Sequence, residues 1–393
     1  MTEANRWLLP DGVDEILPPA AHNLETLRRD ILDLYRSWGY ELVITPLIEF
    51  LDSLNIIPSE DLQLETFKVV DQVSGRSLGI RADITSQAAR IDAHVLQKDG
   101  PNRLCYADSV LRTRPSSMLG TRSPYRIGCE LYGHRGLASD VEVISLMLET
   151  LKLAEINEVQ LALGHVGIYR SLIENAGLDQ DTEKKLFSAL QSKSEKDIDD
   201  LLSSHNTNGG LLAMLKALPK LSGNEKVLDE AEKVLKDAPG TVKDDIEQLR
   251  QLNKAILSRY PGQSLYFDLS ELRGYEYHTG VVFAAYLEGF GTSVAKGGRY
   301  DDIGKCFGRS RPATGFDSDL KRLLSLGSRQ FNDVEKVLAP ADDDSELYEF
   351  IRGLREHGYQ VLMLLPGQQE SGQELGCTQE IVKLDGKWLL SPL

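Results

Sequence analysis

One break in pattern constrains the fold of this chain more than any other feature. From about 167 to 256 the sequence reads as helical throughout, dense in Lys, Asp and Glu and punctuated by Pro219, Gly223, Pro239 and Gly240. Short strand patterns precede it and resume at 265–269 and 280–286. The pattern reads as a bundle of short helices inserted between two halves of one sheet domain. Such a lobe is either a solvated cap or a surface for a partner, and composition alone does not choose between them.

The first half reads in order. Residues 20–38 place Leu24, Leu27, Ile31, Leu34 and Tyr35 at i, i+3, i+4 spacing with charges between, which predicts an amphipathic helix ended by Gly39. Residues 40–46 read as a strand stopped at Pro46. Runs at 66–70 and 77–81 flank Ser74-Gly75, a hairpin signal. Residues 83–97 return to helical spacing. Residues 103–135 read as two strands joined by a loop rich in Arg, Ser, Pro and Gly. Val141, Ile144, Leu148 and Leu151 share the face of a further helix over 140–153.

The last stretch, 334–393, reads as a separate small α/β unit: a strand ending at Pro340, a helix over 345–356, an apolar strand over 359–365, and a hairpin across Asp385-Gly386. The expected division is therefore 1–166 with 257–328 as the sheet domain, 167–256 as the insertion, and 329–393 as the C-terminal module.

Composition excludes several classes. A length of 393 residues fits two or three domains. The net charge of −16 argues against a body that grips nucleic acid through its phosphates. Cys105, Cys129, Cys306 and Cys377 form no C-x-x-C pair, and the seven histidines are scattered, so no metal site is expected. The first residues lack a basic region followed by an apolar run, and no apolar stretch of about 18 residues occurs. A cytoplasmic protein with no membrane partner is expected.

Three constellations carry chemistry. Asp83 and Thr85, with Arg112, Arg126 and Glu130, offer carboxylates and a hydroxyl for an ammonium group and arginine forks for a carboxylate. Each of these residues alone reads equally as a structural ion pair. Residues 273–280, Arg-Gly-Tyr-Glu-Tyr-His-Thr-Gly, set Arg273, Tyr277 and His278 on a turn entering a strand. Such groups can orient an imidazole, or simply pack a sheet corner. Residues 295–301, Ala-Lys-Gly-Gly-Arg-Tyr-Asp, carry paired glycines suited to close backbone approach or to a bulge. P-loop, dinucleotide-binding and serine-hydrolase patterns are absent, so no cofactor is expected.

The order of these pieces resembles the class II aminoacyl-tRNA synthetases, and histidyl-tRNA synthetases most closely, over about residues 8–325. The resemblance implies an α+β fold: an antiparallel sheet flanked by helices, with the helical insertion and the small C-terminal α/β module attached. Gly39-Tyr40 through Thr45-Pro46-Leu47-Ile48-Glu49 matches the family's dimer-forming motif. Asp83 takes the place of a glutamate that contacts the histidine amino group, and Thr85 and Glu130 match residues with the same task. Arg126 stands where the family has glutamine. Arg273, Gly274 and Tyr277 match the histidine signature, Glu276 replaces aspartate, and His278 replaces a frequent tyrosine.

The same resemblance marks losses. In Val110-Leu111-Arg112-Thr113-Arg114-Pro115, Leu111 replaces an arginine that holds ATP, and Thr113 replaces the adjacent glutamate. Arg322 keeps the third motif's arginine, but Asp317 and Asp319 replace small residues beside the nucleotide and would repel a triphosphate unless Mg²⁺ intervened. The anticodon-binding domain is replaced by a shorter unit.

Residues 273–280, 313–320 and 374–393 are similar to the regulatory subunits of short-form ATP phosphoribosyltransferase, which are paralogues of the synthetases. That resemblance implies a non-catalytic dimer joined to short catalytic chains in a hetero-octamer. It would activate the first step of histidine biosynthesis and take L-histidine as its allosteric ligand. The implied histidine-binding residues are Asp83, Thr85, Arg112, Arg126, Glu130, Arg273, Tyr277 and His278. The alternatives are a histidine-activating enzyme, either a synthetase or an amino-acid ligase, and a synthetase-derived regulator of another protein.

Overall fold

The computed structural model describes residues 7–56, 60–115, 120–203, 209–272, 275, 277–332 and 334–393. The chain divides into two compact units, Met1–Arg329 and Gln330–Leu393.

Among the described residues, twelve strands belong to the first unit. They are β1 (Glu41–Leu42), β2 (Ile48–Phe50), β3 (Phe67–Val70), β4 (Ser77–Ile80), β5 (Asn102–Ser109) and β6 (Tyr125–Tyr132), then β7 (Gln160–His165), β8 (Ser222–Gly223), β9 (Ser264–Asp268), β10 (Val281–Tyr286), β11 (Ser293–Arg299) and β12 (Ala313–Asp319). Nine of them form one sheet in the order β1-β5-β6-β12-β11-β10-β7-β9-β8. The pairs running from β5 through β10 to β7 are antiparallel, and β1–β5 and β7–β9 are parallel. A second sheet, β2-β4-β3, holds the expected hairpin.

Alternation along the central strands produces two faces. Ile127, Cys129, Leu131 and Phe316 are buried on one of them. Helix Ala20–Ser37 buries Leu24, Leu27, Ile31 and Tyr35, and the Tyr35 ring meets Phe316 edge-on at 6.1 Å. Helix Leu137–Leu153 packs on the same strands and is buried along most of its length. Helices Ala20–Ser37 and Gly240–Arg259 also pack on it, and its low amphipathicity follows from being covered on more than one side. The opposite face carries Arg126, Gly128 and Glu130 and is left for the site.

The strand expected over 40–46 is cut to Glu41–Leu42. The buried Arg81 guanidinium explains the loss: it donates to the Thr45 carbonyl and hydroxyl, both at 2.7 Å, and draws the chain off the sheet. Arg81 also pairs with Asp108 at 2.7 Å. The helix expected over 83–97 is Thr85–Arg90 followed by a wider π-turn, Ile91–Leu96.

The helical stretch contains Val166–Ala176, Gln180–Gln191, Glu195–Ser203, Gly209–Ala217, Lys226–Val234 and Gly240–Arg259. Leu186, Leu190, Leu202, Leu215, Leu249 and Leu252 of these helices are fully buried. The stretch is also tied to the sheet, because β8 pairs with β9.

Among the described residues the second unit has four strands, β13 (Lys336–Ala339), β14 (Gln360–Met363), β15 (Gln379–Leu384) and β16 (Lys387–Pro392), in the order β14-β13-β15-β16. Helix Ser345–Glu356 packs Leu347 and Ile351 against Val337, Val361, Ile381 and Trp388. Asp385 and Gly386 have φ of 50° and 79°, the left-handed pair that a two-residue hairpin turn requires.

Among the described residues no helix is long and apolar enough to cross a membrane, and no group of three or more His, Cys, Asp or Glu could hold a metal ion.

Candidate functional site

The site is built on a floor of backbone. Register sets Glu130 of β6 beside Gly315 of β12, and Gly315 beside Gly298 of β11. One step along, Gly128, Asp317 and Lys296 form the next row. A methyl group on Gly315 would overlap the Glu130 carboxylate, and one on Gly298 would stand 2.8 Å from His278 Nε2. The glycines therefore make room for functional side chains to lie flat on the sheet.

Glu130 lies at the centre and is 1% exposed. Its carboxylate accepts hydrogen bonds from the Tyr106 hydroxyl at 3.1 Å and from the Tyr300 hydroxyl. Thr85 Oγ1 is 3.5 Å from the Tyr106 hydroxyl. Burial raises the Glu130 pKa to about 8; the hydrogen bond from Tyr300 opposes that rise, and the nearby Asp83 charge adds to it. Among the described residues no basic side chain forms an ion pair with Glu130. Burial, and then the charge of Asp317, likewise raises Asp83.

Two arginines border these carboxylates. Arg126 Nη1 lies 3.3 Å from Asp317 Oδ2, with both side chains largely buried. Burial opposes the Arg126 charge, but Asp317, Asp319 and Asp83 outweigh it and raise its pKa. Arg126 Nε is buried with no hydrogen-bond partner among the described residues. Arg112 donates from Nε to the Ala82 carbonyl at 3.2 Å and pairs with Glu65 at 3.3 Å.

Tyr277 and His278 lie on the loop between β9 and β10. Tyr277 is 37% exposed and His278 is buried, with their ring centroids 4.3 Å apart. Tyr277 feels the charges of Asp83, Asp317, Glu130 and Arg126, so it borders the same pocket. Arg273, with Gly274 and Glu276, lies outside the described residues. Of the eight expected residues, the structure gathers Asp83, Thr85, Arg112, Arg126, Glu130, Tyr277 and His278 around one floor.

Beside the pocket runs a cleft of about 260 Å³ whose lining includes Arg112, Arg126, Lys296, Asp317, Asp319 and Arg322. Both aspartates expected beside the nucleotide line this cleft, and each has a partner within the chain. Asp317 is paired with Arg126. Asp319 caps helix Leu320–Leu326, accepting from the amides of Lys321 and Tyr125, both at 3.2 Å. Arg322 donates to the Ser293 carbonyl at 3.0 Å and covers the Phe290 ring. At the positions where the resemblance marks losses, the Leu111 amide bonds the Arg81 carbonyl, and the Thr113 hydroxyl bonds the Leu64 carbonyl at 2.6 Å.

Sequence reasoning did not select Tyr106, Tyr300 or Lys296. Tyr106 sits opposite Gly128 only because of the β5–β6 register. Tyr300 and Lys296 were visible in the glycine-pair motif, but nothing local told them from Arg299. That arginine faces the helices and pairs with Asp140 at 2.8 Å and Asp301 at 3.1 Å.

Residues 12–323 match the family model of histidyl-tRNA synthetase, and residues 334–391 match that of the ATP phosphoribosyltransferase subunit HisZ C-terminal domain. A crystal structure of an ATP phosphoribosyltransferase regulatory subunit/histidyl-tRNA synthetase from Bacillus halodurans C aligns with a TM-score of 0.84 and 26% identity, covering 97% of this chain and 98% of that one. Histidyl-tRNA synthetase from Nostoc sp. PCC 7120 shares the fold, with a TM-score of 0.77 at 17% identity over 98% of this chain and 97% of that one. Fold and site thus define a protein of the histidyl-tRNA synthetase-like, class II type. ATP phosphoribosyltransferase regulatory subunits from Stutzerimonas stutzeri and Chromohalobacter salexigens are 50% and 49% identical to the chain, over the full length of both partners in each comparison. The chain belongs to the family of ATP phosphoribosyltransferase regulatory subunits.

Proposed function

We propose that the pocket binds free L-histidine and that its occupancy sets the activity of a short ATP phosphoribosyltransferase catalytic chain. The observation that carries this reading is Glu130, a buried carboxylate held by two tyrosine hydroxyls with no ion-pair partner among the described residues. Desolvation keeps such a group protonated, and it ionises when a ligand brings a positive charge to it. An α-ammonium group supplies it, with Asp83 and Thr85 as neighbours. The unpaired Arg126 Nε provides a donor for the ligand carboxylate. Tyr277 and His278 border the space left for the imidazole, and we assign Arg273 to the same set from the sequence motif.

The chain in this reading performs no chemistry of its own. Activation of histidine requires a cation to hold the phosphates, and Leu111 occupies the position where the synthetase motif has one. The chain acts as a dimer within a hetero-octamer, in the cytoplasm, with the sheet domain holding the ligand and the insertion and C-terminal module as separate parts. Histidine inhibits by binding one state of that assembly better than the other.

The test is phosphoribosyl-ATP formation by the catalytic chain of the same organism, with and without this protein, each with and without histidine. Activation that histidine reverses supports the reading. No effect on rate, together with histidine-dependent exchange of pyrophosphate into ATP, would replace it with an amino-acid-activating enzyme.

A further inference from the structure

We infer that helices Val166–Ala176 and Gln180–Gln191 of the insertion are the element that senses ligand in the pocket, and that Arg170 and Tyr275 are the positioning residues that connect them to it. The inference rests on the pocket reading above and deepens it by naming where the signal leaves the sheet domain.

The described residues of the loop between β9 and β10 have two sides. Towards the sheet it presents His278, packed on Gly298, and Tyr277. Away from the sheet it is held by the insertion. Arg170 Nη2 donates to the Tyr275 carbonyl at 3.2 Å and to the His278 carbonyl at 2.9 Å. Its guanidinium also lies over the Tyr275 ring at 5.2 Å. The Tyr275 ring stands edge-on to Tyr169 at 5.1 Å and meets Phe187 at 5.5 Å, and its hydroxyl donates to Glu183 Oε1 at 3.3 Å. At the root of the loop, Lys193 pairs with Asp268 at 2.7 Å, and the Leu269 amide bonds the Leu221 carbonyl.

These contacts make the loop a shared part of two bodies. The carbonyl that Arg170 holds belongs to the residue whose imidazole lies on the pocket floor. A ligand that shifts the backbone at His278 moves a carbonyl that Arg170 holds, and the same guanidinium holds the Tyr275 carbonyl, whose ring carries the shift into a packed aromatic cluster. Packed side chains of this kind switch between discrete arrangements, which is the physical requirement for coupling. The Tyr275 side chain meets Arg170, Tyr169, Phe187 and Glu183, all in the insertion, so a role confined to pocket structure does not explain it.

The experiment is hydrogen–deuterium exchange of the full chain with and without L-histidine, beside calorimetric binding. Expected for the wild-type chain is slowing of exchange in 166–191 by about fivefold or more on binding. Arg170→Met and Tyr275→Ala are each expected to remove that slowing while shifting the histidine Kd by less than about tenfold. Tyr275→Phe keeps the ring contacts and is expected to retain it. Two outcomes overturn the inference: wild-type chain that binds histidine without protecting 166–191, or Arg170→Met and Tyr275→Ala variants that bind and keep full protection. A wild-type chain that does not bind histidine at all overturns the pocket reading and this inference with it.

Discussion

The Tyr106 hydroxyl and the Glu130 carboxylate meet at 3.1 Å on adjacent strands, both buried, with Tyr300 closing the other side. This pairing fixes where the Glu130 carboxyl lies without bringing a positive charge to it. A hydroxyl donor stabilises the ionised form less than burial destabilises it, so the pKa rises to about 8.

Histidine binding is therefore expected to release a proton. In the empty pocket near neutrality Glu130 is largely the neutral acid, and an ammonium ligand favours the carboxylate. Affinity should rise between about pH 6.5 and about pH 8, and calorimetry in buffers of different ionisation enthalpy should show the proton leaving. For stability the sign is opposite. The Glu130 contribution is full below its ordinary value of 4.5 and is lost as pH rises through about 8. Histidine should restore it. Glu130→Gln should bind weakly and lose the pH dependence of affinity beyond that of the imidazole itself. A Glu130→Gln variant with the wild-type pH profile would reject the assignment.

Breaking the Arg126–Asp317 pair should cost stability and binding together. Arg126→Met leaves Asp317 buried beside Asp83, with a loss of about 3 kcal/mol in denaturant unfolding. Adding Asp317→Leu should recover most of that stability. Histidine affinity should stay low in the double variant, because in the proposed pocket the arginine meets the ligand carboxylate as well as the aspartate.

The segment from β1 to the β3–β4 turn should form a subunit contact. Ile44 is 80% exposed and Val70 is 68% exposed, with Leu47, Ile48 and Val73 also on the surface. Apolar exposure concentrated in one segment marks an interaction surface. Ile44→Glu is expected to shift sedimentation from dimer to monomer. An unchanged sedimentation coefficient at micromolar concentration would place the contact elsewhere.

In the second unit, Asp344 caps helix Ser345–Glu356, pairs with Lys383 at 2.6 Å and accepts from Trp388 Nε1 at 2.9 Å. The hydrogen bond from Lys383, then the amide of Glu346 and the Trp388 ring, hold its carboxyl down to about 2. A depressed carboxyl contributes stability above its ordinary value of 3.8 and loses it as pH falls through about 2. Trp388 emission should change over that window, and Asp344→Ala should show the changed emission already at neutral pH.

Much of the fold was legible because its signals are local. The apolar spacing of Leu24, Leu27 and Ile31 marks a helix whatever it packs against, and Asp385-Gly386 makes the same tight turn in any hairpin. The strand at 40–46 misled because a distant side chain, Arg81, competes for Thr45. In the site, Glu130 and the residues around Asp83 were readable as chemistry, and their resemblance to a histidine pocket was readable as motif. The partners of Asp317 and Asp319 were not: one is neutralised by a neighbouring strand and the other by a helix end, and neither arrangement shows in the local sequence.

The sequence by itself determined the elements, the long helical interruption of the sheet, and the family whose motifs the chain carries. Only the tertiary structure decided that three glycines from separate strands form one floor, that Tyr106 and Tyr300 converge on Glu130, and that Arg170 of the insertion holds the carbonyl behind His278. The reason is register. Periodicity within a strand fixes which side chains share a face, but which residue stands opposite which is set by packing between segments far apart in the chain.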